Sequence, residues 1–598
     1  MLPFMKYALA PFASKFATLI AAVALCVSGS AFAQSAATSP PVSINDRAVV
    51  LGILAAEFSL QTGDIATAAN TYYEVAKRSR DAKVAERAVD LLLRARRIDE
   101  AKEIAALWQE ADGGSVRPHQ IVLALALTSA DEFRAMGAIT SIATLPDELR
   151  SAAIMDAARQ LALYRDRDFA VKLASVFTQQ LPKLPESHYA LAVASTGNEN
   201  KRVGEALLAI DQALKLKPNW PQAVAVKSRL LLARGPVATG VESSPGAAAV
   251  TLLENAIAAN ASTKAPAENS TAPVKDESRE LRLVLARTQF DLEKFAEARK
   301  QFLALAEDGL EDADEMRLAA TLSAFQGKDW DVAEREFTES LAADRGDPAA
   351  VLYYLARISE ARLRWGEAVD RFTQVPRGER YWESQLRIAG ALAQDKRMPL
   401  AISHLRALKP SNALERLSLV QTESTLWREA GDNVKAFEAL EAALVTDADN
   451  PDLLYDSAML AERIDRMEEA EKRLRRVIAL QPTRAHAFNA LGYSFADRNI
   501  NLDEARTLIE KAHGIAPEDA AILDSMGWIA FRQGRMAEAE SYLRRALDKF
   551  QDGEIAAHLG EVLWAQGRQD EAKKVWDAQL KVQPDSDILK KTVARLAK

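Results

Sequence analysis

The chain has few of the side chains that carry redox and metal chemistry. Its 598 residues include one cysteine and six histidines. No two histidines are spaced i, i+4, and none lies beside a Cys or carboxylate cluster at metal-ligand spacing. This pattern argues against a metal-binding motif on a helix. We therefore expect no bound metal and no cofactor.

Sequence signatures of catalysis and of nucleic-acid binding are also missing. There is no P-loop, no G-x-G-x-x-G after a strand and no G-x-S-x-G, so nothing indicates a phosphate-binding loop or a nucleophile elbow. The 76 basic and 84 acidic side chains give a net charge of −8. The chain therefore lacks the excess of basic charge that attracts nucleic acid. We expect a non-enzymatic protein that does not bind nucleic acid.

The longest apolar run lies at the N-terminus and is too short to span a bilayer on its own. Lys6 and Lys15 provide positive charge, the run extends from Phe16 to Val27, and Ala31-Phe32-Ala33 follows. Positive residues, a short apolar segment and small residues at the end are typical of a secretory signal peptide. We predict cleavage after Ala33 and export, with the Gram-negative periplasm as the destination.

The only cysteine leaves one alternative open. Val23-Ala24-Leu25-Cys26 is similar to a degraded lipobox, and a lipid on Cys26 would anchor the protein in the outer membrane. Leu25 occupies a position where a lipobox has a small residue. We therefore favour cleavage after Ala33, which leaves the mature chain without a thiol, and expect membrane association only if Cys26 is lipidated.

The rest of the chain contains a repeated pattern, clearest near the C-terminus. Three segments carry it: LGYSFADRNINLDEARTLIEKAHGIAP, MGWIAFRQGRMAEAESYLRRAL and LGEVLWAQGRQDEAKKVWDAQLKVQP. In each, an apolar residue precedes a glycine, and an alanine follows in the second half. These alanines, Ala505, Ala539 and Ala572, are 34 and 33 residues apart. That period and pattern are typical of the tetratricopeptide repeat, a helix–turn–helix unit.

The same alanine can be followed through most of the chain. It falls at Ala68, Ala101, Ala135, Ala170, Ala206, Ala249, Ala298, Ala333, Ala368, Ala401, Ala436, Ala470, Ala505, Ala539 and Ala572. The steps are regular from Ala298 onward and looser before it. We predict an all-α tetratricopeptide repeat solenoid, a right-handed superhelix of about 14–15 helical hairpins. Aromatic side chains in its second helices should be core residues: Phe302, Phe337, Phe372 and Trp576.

Composition shifts divide the chain into segments. Arg234 to Ala248 and Ala258 to Asp276 are rich in Gly, Pro, Ser or low-complexity sequence, which indicates loops. We predict a signal peptide (1–33), a flexible leader (34–44), an irregular N-terminal solenoid (45–257), a low-complexity loop or linker (258–276) and a C-terminal solenoid (277–598). Whether 258–276 is a hinge or a surface loop stays open.

Positions on the first helix of each unit are candidates for a partner-binding groove. In this repeat the second, fifth, ninth, twelfth and thirteenth positions line the concave side, where aromatic and charged residues suit a protein partner. We take Trp528, directly after the helix-contact glycine, as the ring most suited to the groove and Phe531 as the one most suited to the core. The predicted groove residues are Tyr455, Asn489, Tyr493, Asp497, Asp524, Trp528, Arg532, Glu561 and Trp564.

The C-terminal repeats resemble exported repeat proteins of proteobacteria. The run from Ile522 to Trp528, then Phe531 to Gly534, carries the resemblance, and the run from His558 to Trp564 is similar. The family is that of the LbcA-like outer-membrane lipoproteins, which bind and activate a periplasmic carboxyl-terminal processing protease. The resemblance implies an adaptor that presents cell-wall hydrolases to the protease and docks through its N-terminal region. Leu25 departs from that family's lipobox.

Two functional hypotheses follow. The first is a periplasmic adaptor whose partners are a carboxyl-terminal processing protease and peptidoglycan hydrolases. The second is a tetratricopeptide scaffold for envelope or polysaccharide-export machinery, without a protease. A pull-down from periplasm would separate them.

Overall fold

The computed structural model describes residues 43–196, 202–234, 244–262 and 277–597. The predicted signal peptide, Cys26, Ala33 and most of the predicted leader lie outside the described residues. All regular structure in the described ranges is helical, as 31 helices without a strand. The predicted all-α class is confirmed.

The helices follow one another as antiparallel-type pairs joined by short turns. Up to the sixteenth helix the bounds are α1 Arg47–Gln61, α2 Ile65–Ser79, α3 Ala82–Arg94, α4 Ile98–Ala111, α5 Val116–Thr128, α6 Glu132–Ala143, α7 Asp147–Leu163, α8 Arg167–Gln180, α9 Pro185–Ser195, α10 Val203–Leu216, α11 Pro221–Ala233, α12 Pro245–Ser262, α13 Glu277–Asp291, α14 Phe295–Glu307, α15 Ala313–Gln326 and α16 Trp330–Ala342. The remaining bounds are α17 Pro348–Ala361, α18 Trp365–Thr373, α19 Tyr381–Gln394, α20 Met398–Ala407, α21 Ala413–Glu429, α22 Asn433–Leu444, α23 Pro451–Arg463, α24 Met467–Leu480, α25 Ala485–Asp497, α26 Leu502–Ile515, α27 Ala520–Arg532, α28 Met536–Lys549, α29 Gly553–Ala565, α30 Gln569–Val582 and α31 Asp587–Leu596.

The alanines of the repeat mark the second helix of every pair. Each of the predicted positions, from Ala68 to Ala572, lies in an even-numbered helix from α2 to α30. All are at most 3% exposed. Even Ala135 and Ala249, in the loosely spaced N-terminal part, are buried. The alanine pattern therefore located the fifteen helix pairs correctly, and α31 follows as a single terminal helix.

Close backbone approach explains why the pattern uses glycine and alanine. A Cβ built on Gly527 of α27 would lie 3.0 Å from the carbonyl oxygen of Ala539 on α28. A Cβ on Gly492 of α25 would lie 2.9 Å from the carbonyl oxygen of Ala505 on α26. The two helices of a pair thus cross where neither can carry a larger side chain.

Polar caps set the ends of several helices. Asp46 accepts a hydrogen bond from the Ala48 amide at 2.9 Å and caps α1, which begins at Arg47 as expected. Asp519 accepts from the amides of Ala521 and Ile522 and caps α27. Such caps satisfy amides that have no partner within the helix.

The four aromatic residues predicted for the core are buried. Phe302, Phe337, Phe372 and Trp576 are each at most 2% exposed.

The predicted loop at 258–276 begins too early, because α12 continues to Ser262. No helix-breaking residue occurs among those first five positions. Residues 263–276 lie outside the described part of the chain.

Two compact units make up the structure. One extends to Ala333 and the other from Glu334 to Lys598. The predicted division into segments 45–257 and 277–598 stays a prediction.

Candidate functional site

Three of the predicted groove residues, Tyr493, Asp524 and Trp528, belong to a polar cluster in the second unit. It consists of Tyr493 on α25, Asp524 and Trp528 on α27, and Glu554 and His558 on α29. We call these five residues the His558 cluster. Three first helices, from three successive repeats, each contribute to it.

The contacts within the His558 cluster are close. Nδ1 of His558 lies 2.9 Å from Oδ1 and 3.1 Å from Oδ2 of Asp524. The hydroxyl of Tyr493 donates to Oε1 of Glu554 at 2.6 Å. The Trp528 indole stacks on the imidazole, with ring centroids 3.9 Å apart and an interplanar angle of 19°. These bonds and the stack connect α25, α27 and α29.

The electrostatics of the His558 cluster favour a proton on the imidazole. Burial lowers the pKa of His558, but the Asp524 carboxylate, with Glu554 and Asp497, outweighs it and raises the pKa above its ordinary value. Burial and the Glu554 carboxylate raise the pKa of Tyr493. The cluster can therefore hold a buried imidazolium against a carboxylate.

This geometry corrects the expectation that Trp528 is an open groove ring. Trp528 is 4% exposed and Asp524 is 5% exposed. The ring is covered by His558 on one helix and by the Arg532 guanidinium, whose carbon lies 4.6 Å from the ring centroid. Phe531, predicted for the core, is only partly buried. Neighbouring first helices pack so closely that His558 of α29 covers the Trp528 ring, which the sequence had placed in an open groove.

The other predicted residues lie around the His558 cluster or apart from it. Arg532 donates to the Asp497 carbonyl oxygen at 2.8 Å, and Asp497 is exposed. Asn489 is half-buried, and its Oδ1 has no hydrogen-bond partner among the described residues. Tyr455 is half-buried under the Arg484 guanidinium, 4.6 Å from the ring centroid.

The two predicted residues nearest the C-terminus are separate from the His558 cluster. Glu561 pairs with Arg595 of α31 at 2.5 Å. Trp564 stacks on Trp576, with ring centroids 5.6 Å apart. That any of these residues binds a partner stays a prediction.

His558 itself was missed as a site residue. It follows Asp524 by 34 residues, about one repeat length. Residues one repeat apart lie on neighbouring first helices, so the period was the signal that could have paired them.

A second polar network links two first helices near the start of the second unit. Tyr353 of α17 is buried and donates to Glu383 of α19. Arg387 pairs with Glu383 at 3.0 Å and with Glu360 at 3.2 Å. Burial raises the pKa of Tyr353 and of Glu360. Arg357 also belongs to this network, because it donates to the Tyr353 hydroxyl at 3.2 Å.

A contiguous exposed apolar surface lies on α1. Val50, Leu54 and Phe58 follow each other at intervals of four along α1 and are 40%, 60% and 67% exposed. Leu51 beside them is 55% exposed. We call these four residues the α1 stripe. Residues four apart share one face of a helix, so they form a continuous apolar strip.

The last helix, α31, exposes mainly charged side chains, unlike α1. The exposed positions of α31 include Lys590, Lys591 and Arg595, with Ile588 as the one exposed large apolar residue. A polar outer face is what a terminal repeat needs for solubility. The α1 stripe lacks this polar cover within the described residues.

The described residues offer neither a metal-binding cluster nor a membrane-spanning helix. Within residues 43–196, 202–234, 244–262 and 277–597, no group of three or more His, Cys, Asp or Glu is arranged to hold a metal ion. None of the helices described combines the length and the apolar character that crossing a membrane requires.

Comparison with protein families identifies the repeat. Residues 283–348, 428–492 and 525–578 match models described as tetratricopeptide repeat. These three segments are tetratricopeptide repeats, and each lies within the array of helix pairs. Proteins built from these repeats are generally non-enzymatic scaffolds that bind other proteins.

A curated relative is the TPR repeat-containing protein PA4667 of Pseudomonas aeruginosa, 38% identical over 250 residues. The match covers 41% of this chain and 42% of the relative, so the chain spans less than half of that protein's length.

Among solved structures, yeast Tom70 is 14% identical, with a TM-score of 0.35 over 75% of this chain and 96% of the other. TTC0263 of Thermus thermophilus is 21% identical, with a TM-score of 0.28 over 30% of this chain and 98% of the other.

Proposed function

We propose that this tetratricopeptide repeat protein is a non-enzymatic periplasmic adaptor. It binds and activates a carboxyl-terminal processing protease and presents cell-wall hydrolases to it. The observation that carries the proposal is the α1 stripe, an apolar surface at the N-terminal end of the array. The N-terminal region is also where the family resemblance implies the docking element.

The chemistry of the α1 stripe suits a stable protein contact. Its large apolar side chains stand on a rigid helix, so their ordering on binding costs little conformational entropy. Phe58, two-thirds exposed, is the aromatic anchor of the strip. A few residues near the centre of an interface contribute most of the binding energy, and aromatic residues such as Phe are enriched there. Contiguous exposed apolar patches of this kind mark interaction sites.

Two further observations support the choice of partner and compartment. The C-terminal repeats, from Ile522 to Trp564, carry the resemblance to exported adaptors of a protease. The N-terminal Lys6, Lys15 and the apolar run before Ala33 have the pattern of an export signal. Both are sequence observations, and the experiment below tests the partner directly.

The proposal is tested by binding. The purified chain is mixed with the carboxyl-terminal processing protease encoded in the same genome, and the complex is measured by size-exclusion chromatography with light scattering. We expect a complex with the wild-type chain. Phe58→Glu together with Leu54→Lys should weaken it at least tenfold, because both place a charge in the apolar contact.

The matched control is Ile588→Lys on α31, the exposed apolar residue at the other end of the chain. It should leave the affinity unchanged. Both variants alter exposed positions, so each should keep its thermal stability. Absence of any complex with the wild-type chain would overturn the protease assignment. Recovery of envelope-assembly proteins instead, in a cross-linked pull-down, would favour the scaffold without a protease.

A further inference from the structure

A groove of about 220 Å³ lies in the first unit between two second helices, α4 and α6, with α5 beneath it. Small residues form its walls, with Ala105 and Ala106 on α4 and Gly137 on α6. Val122 and Leu125 of α5 form its apolar floor. Because its walls are second helices, this groove is separate from the surface that the first helices line.

A protruding aromatic ring stands at one end of this groove. Phe133 of α6 is among the residues that border the groove and is 89% exposed. No other large apolar residue in the described part of the chain is as exposed. Aromatic residues are enriched in protein interfaces. The same patch therefore carries both a projecting ring and a groove with an apolar floor.

The exposed side of α6 has no charge beyond its first turn. From Ala135 to Pro146 the chain contains no acidic or basic residue, and Gly137 and Thr140 are exposed within that stretch. The centre of a protein interface is likewise depleted in charged residues.

Gly137 lacks a packing reason within the chain. A Cβ built on it meets no atom within 4 Å, so no neighbouring helix requires a glycine there. A glycine in the middle of a helix lowers the stability of that helix. Close approach of another molecule to α6 explains why a small residue occupies this position.

The two ends of the groove differ in charge. Lys102 and Arg134 line it near the starts of α4 and α6. They pair with Asp99 at 3.1 Å and with Asp131 at 3.6 Å, and neither acid lines the groove. Glu110 lies at the opposite end, in the last turn of α4, where it is exposed and has no ion pair with a described cation.

We propose that two copies of this chain pair through the groove about a two-fold axis. Phe133 of each copy enters the groove of the other beside Gly137. The two-fold axis brings the end with Arg134 in one copy to the end with Glu110 in the other, so opposite charges meet.

Self-complementarity is what favours a second copy as the occupant. A two-fold interface uses the same patch on both subunits, so each patch must carry both a protruding group and its receptor. Here both belong to α4 and α6, and the charges at the two ends match only when the copies run antiparallel. The face shares no residue with the α1 stripe, so this inference does not depend on the protease partner.

Sedimentation equilibrium of the purified chain tests the pairing. Two helix faces per copy make a small interface, so we expect a reversible dimer with a Kd of about 1–100 μM. Phe133→Asp should weaken it at least tenfold, because it places a charge in the apolar groove.

Gly137→Leu separates pairing from folding. The new side chain fills the groove and should abolish the dimer. Thermal unfolding should occur at the same or a higher temperature than in the wild type, because the added Cβ meets nothing and leucine favours helix more than glycine does.

A charge exchange tests the antiparallel orientation. Arg134→Glu and Glu110→Arg should each weaken the dimer, and the two together should restore it. Phe550→Asp is the matched control, because Phe550 is a 59% exposed phenylalanine in the second unit. This variant should pair as the wild type does.

Four results would overturn the proposal. A wild-type chain that stays monomeric up to about 500 μM would exclude the dimer. Growth beyond a dimer would indicate an open head-to-tail contact instead of a two-fold one. Undiminished pairing in both Phe133→Asp and Gly137→Leu would place the contact elsewhere. Loss of pairing in Phe58→Glu with Leu54→Lys, while Phe133→Asp still pairs, would assign it to the α1 stripe.

Discussion

Asp524→Asn is the substitution that most directly tests the His558 cluster. It removes one negative charge from beside His558 and keeps the size of the side chain. Both residues are buried, with Nδ1 and Oδ1 2.9 Å apart. At pH 5.5 the variant must bury an imidazolium without its carboxylate or release the proton. Breaking a buried ion pair by removing one partner costs about 3–5 kcal/mol.

The stability lost in Asp524→Asn should be larger at low pH than at high pH. The pKa of His558 is raised in the folded protein because Asp524, Glu554 and Asp497 outweigh the effect of burial. A group with a raised folded pKa stabilises the fold fully below its unfolded pKa, about 6.5. That contribution is lost as the pH rises through the folded value. At higher pH, with a neutral imidazole, Asp524→Asn should cost only about 0.5–1.5 kcal/mol.

Urea unfolding of wild type and variant at matched pH values, from 5.5 upward, measures this difference. Hydrogen exchange should localise the change to α27 and α29, because repeat arrays open locally. Asp548→Asn, an exposed carboxylate on α28, is the control and should change stability by less than about 0.5 kcal/mol. A loss for Asp524→Asn that is constant with pH, or that grows as pH rises, would refute the reasoning.

Two further predictions concern packing. Ala539→Leu should destabilise the chain by about 1–3 kcal/mol in urea unfolding, since Ala539 is fully buried where α28 crosses Gly527 of α27; an unchanged midpoint would contradict the close-approach explanation. Trp528→Ala should cost about 3–5 kcal/mol, as for a core aromatic residue, whereas Trp564→Ala, which removes a partly exposed ring, should cost less. If Trp528→Ala and Trp564→Ala both lower the stability by the same small amount, Trp528 is an open groove residue and its assignment to the core is wrong.

The sequence predicted the positions of the helix pairs because stacking restricts residue size at a fixed spacing. Ala135 and Ala249 in the irregular repeats are buried like Ala539 and Ala572 in the regular ones, so one pattern extended through the array. The cap of α1 was also predictable, because Asp46 has a short side chain that can accept a hydrogen bond from the first turn of the helix. The helix-pair positions and the caps depend on contacts within one repeat, so they can be predicted from a single sequence.

The sequence did not predict which first-helix side chains are exposed. Trp528 occupies a groove position, but its burial depends on His558 from the next repeat, which stacks on it at 3.9 Å. That contact is set by the distance between neighbouring helices. The α1 stripe also depends on what packs beside its helix, which periodicity alone does not define.

The rate at which the protease degrades a purified peptidoglycan hydrolase, with and without this chain, tests the central proposal most directly. Our account predicts faster turnover when the wild-type chain is added. It also predicts that Phe58→Glu with Leu54→Lys abolishes the gain, whereas Ile588→Lys retains it. Turnover that is unchanged by the wild-type chain, or that is accelerated equally by the α1 variant, would contradict it.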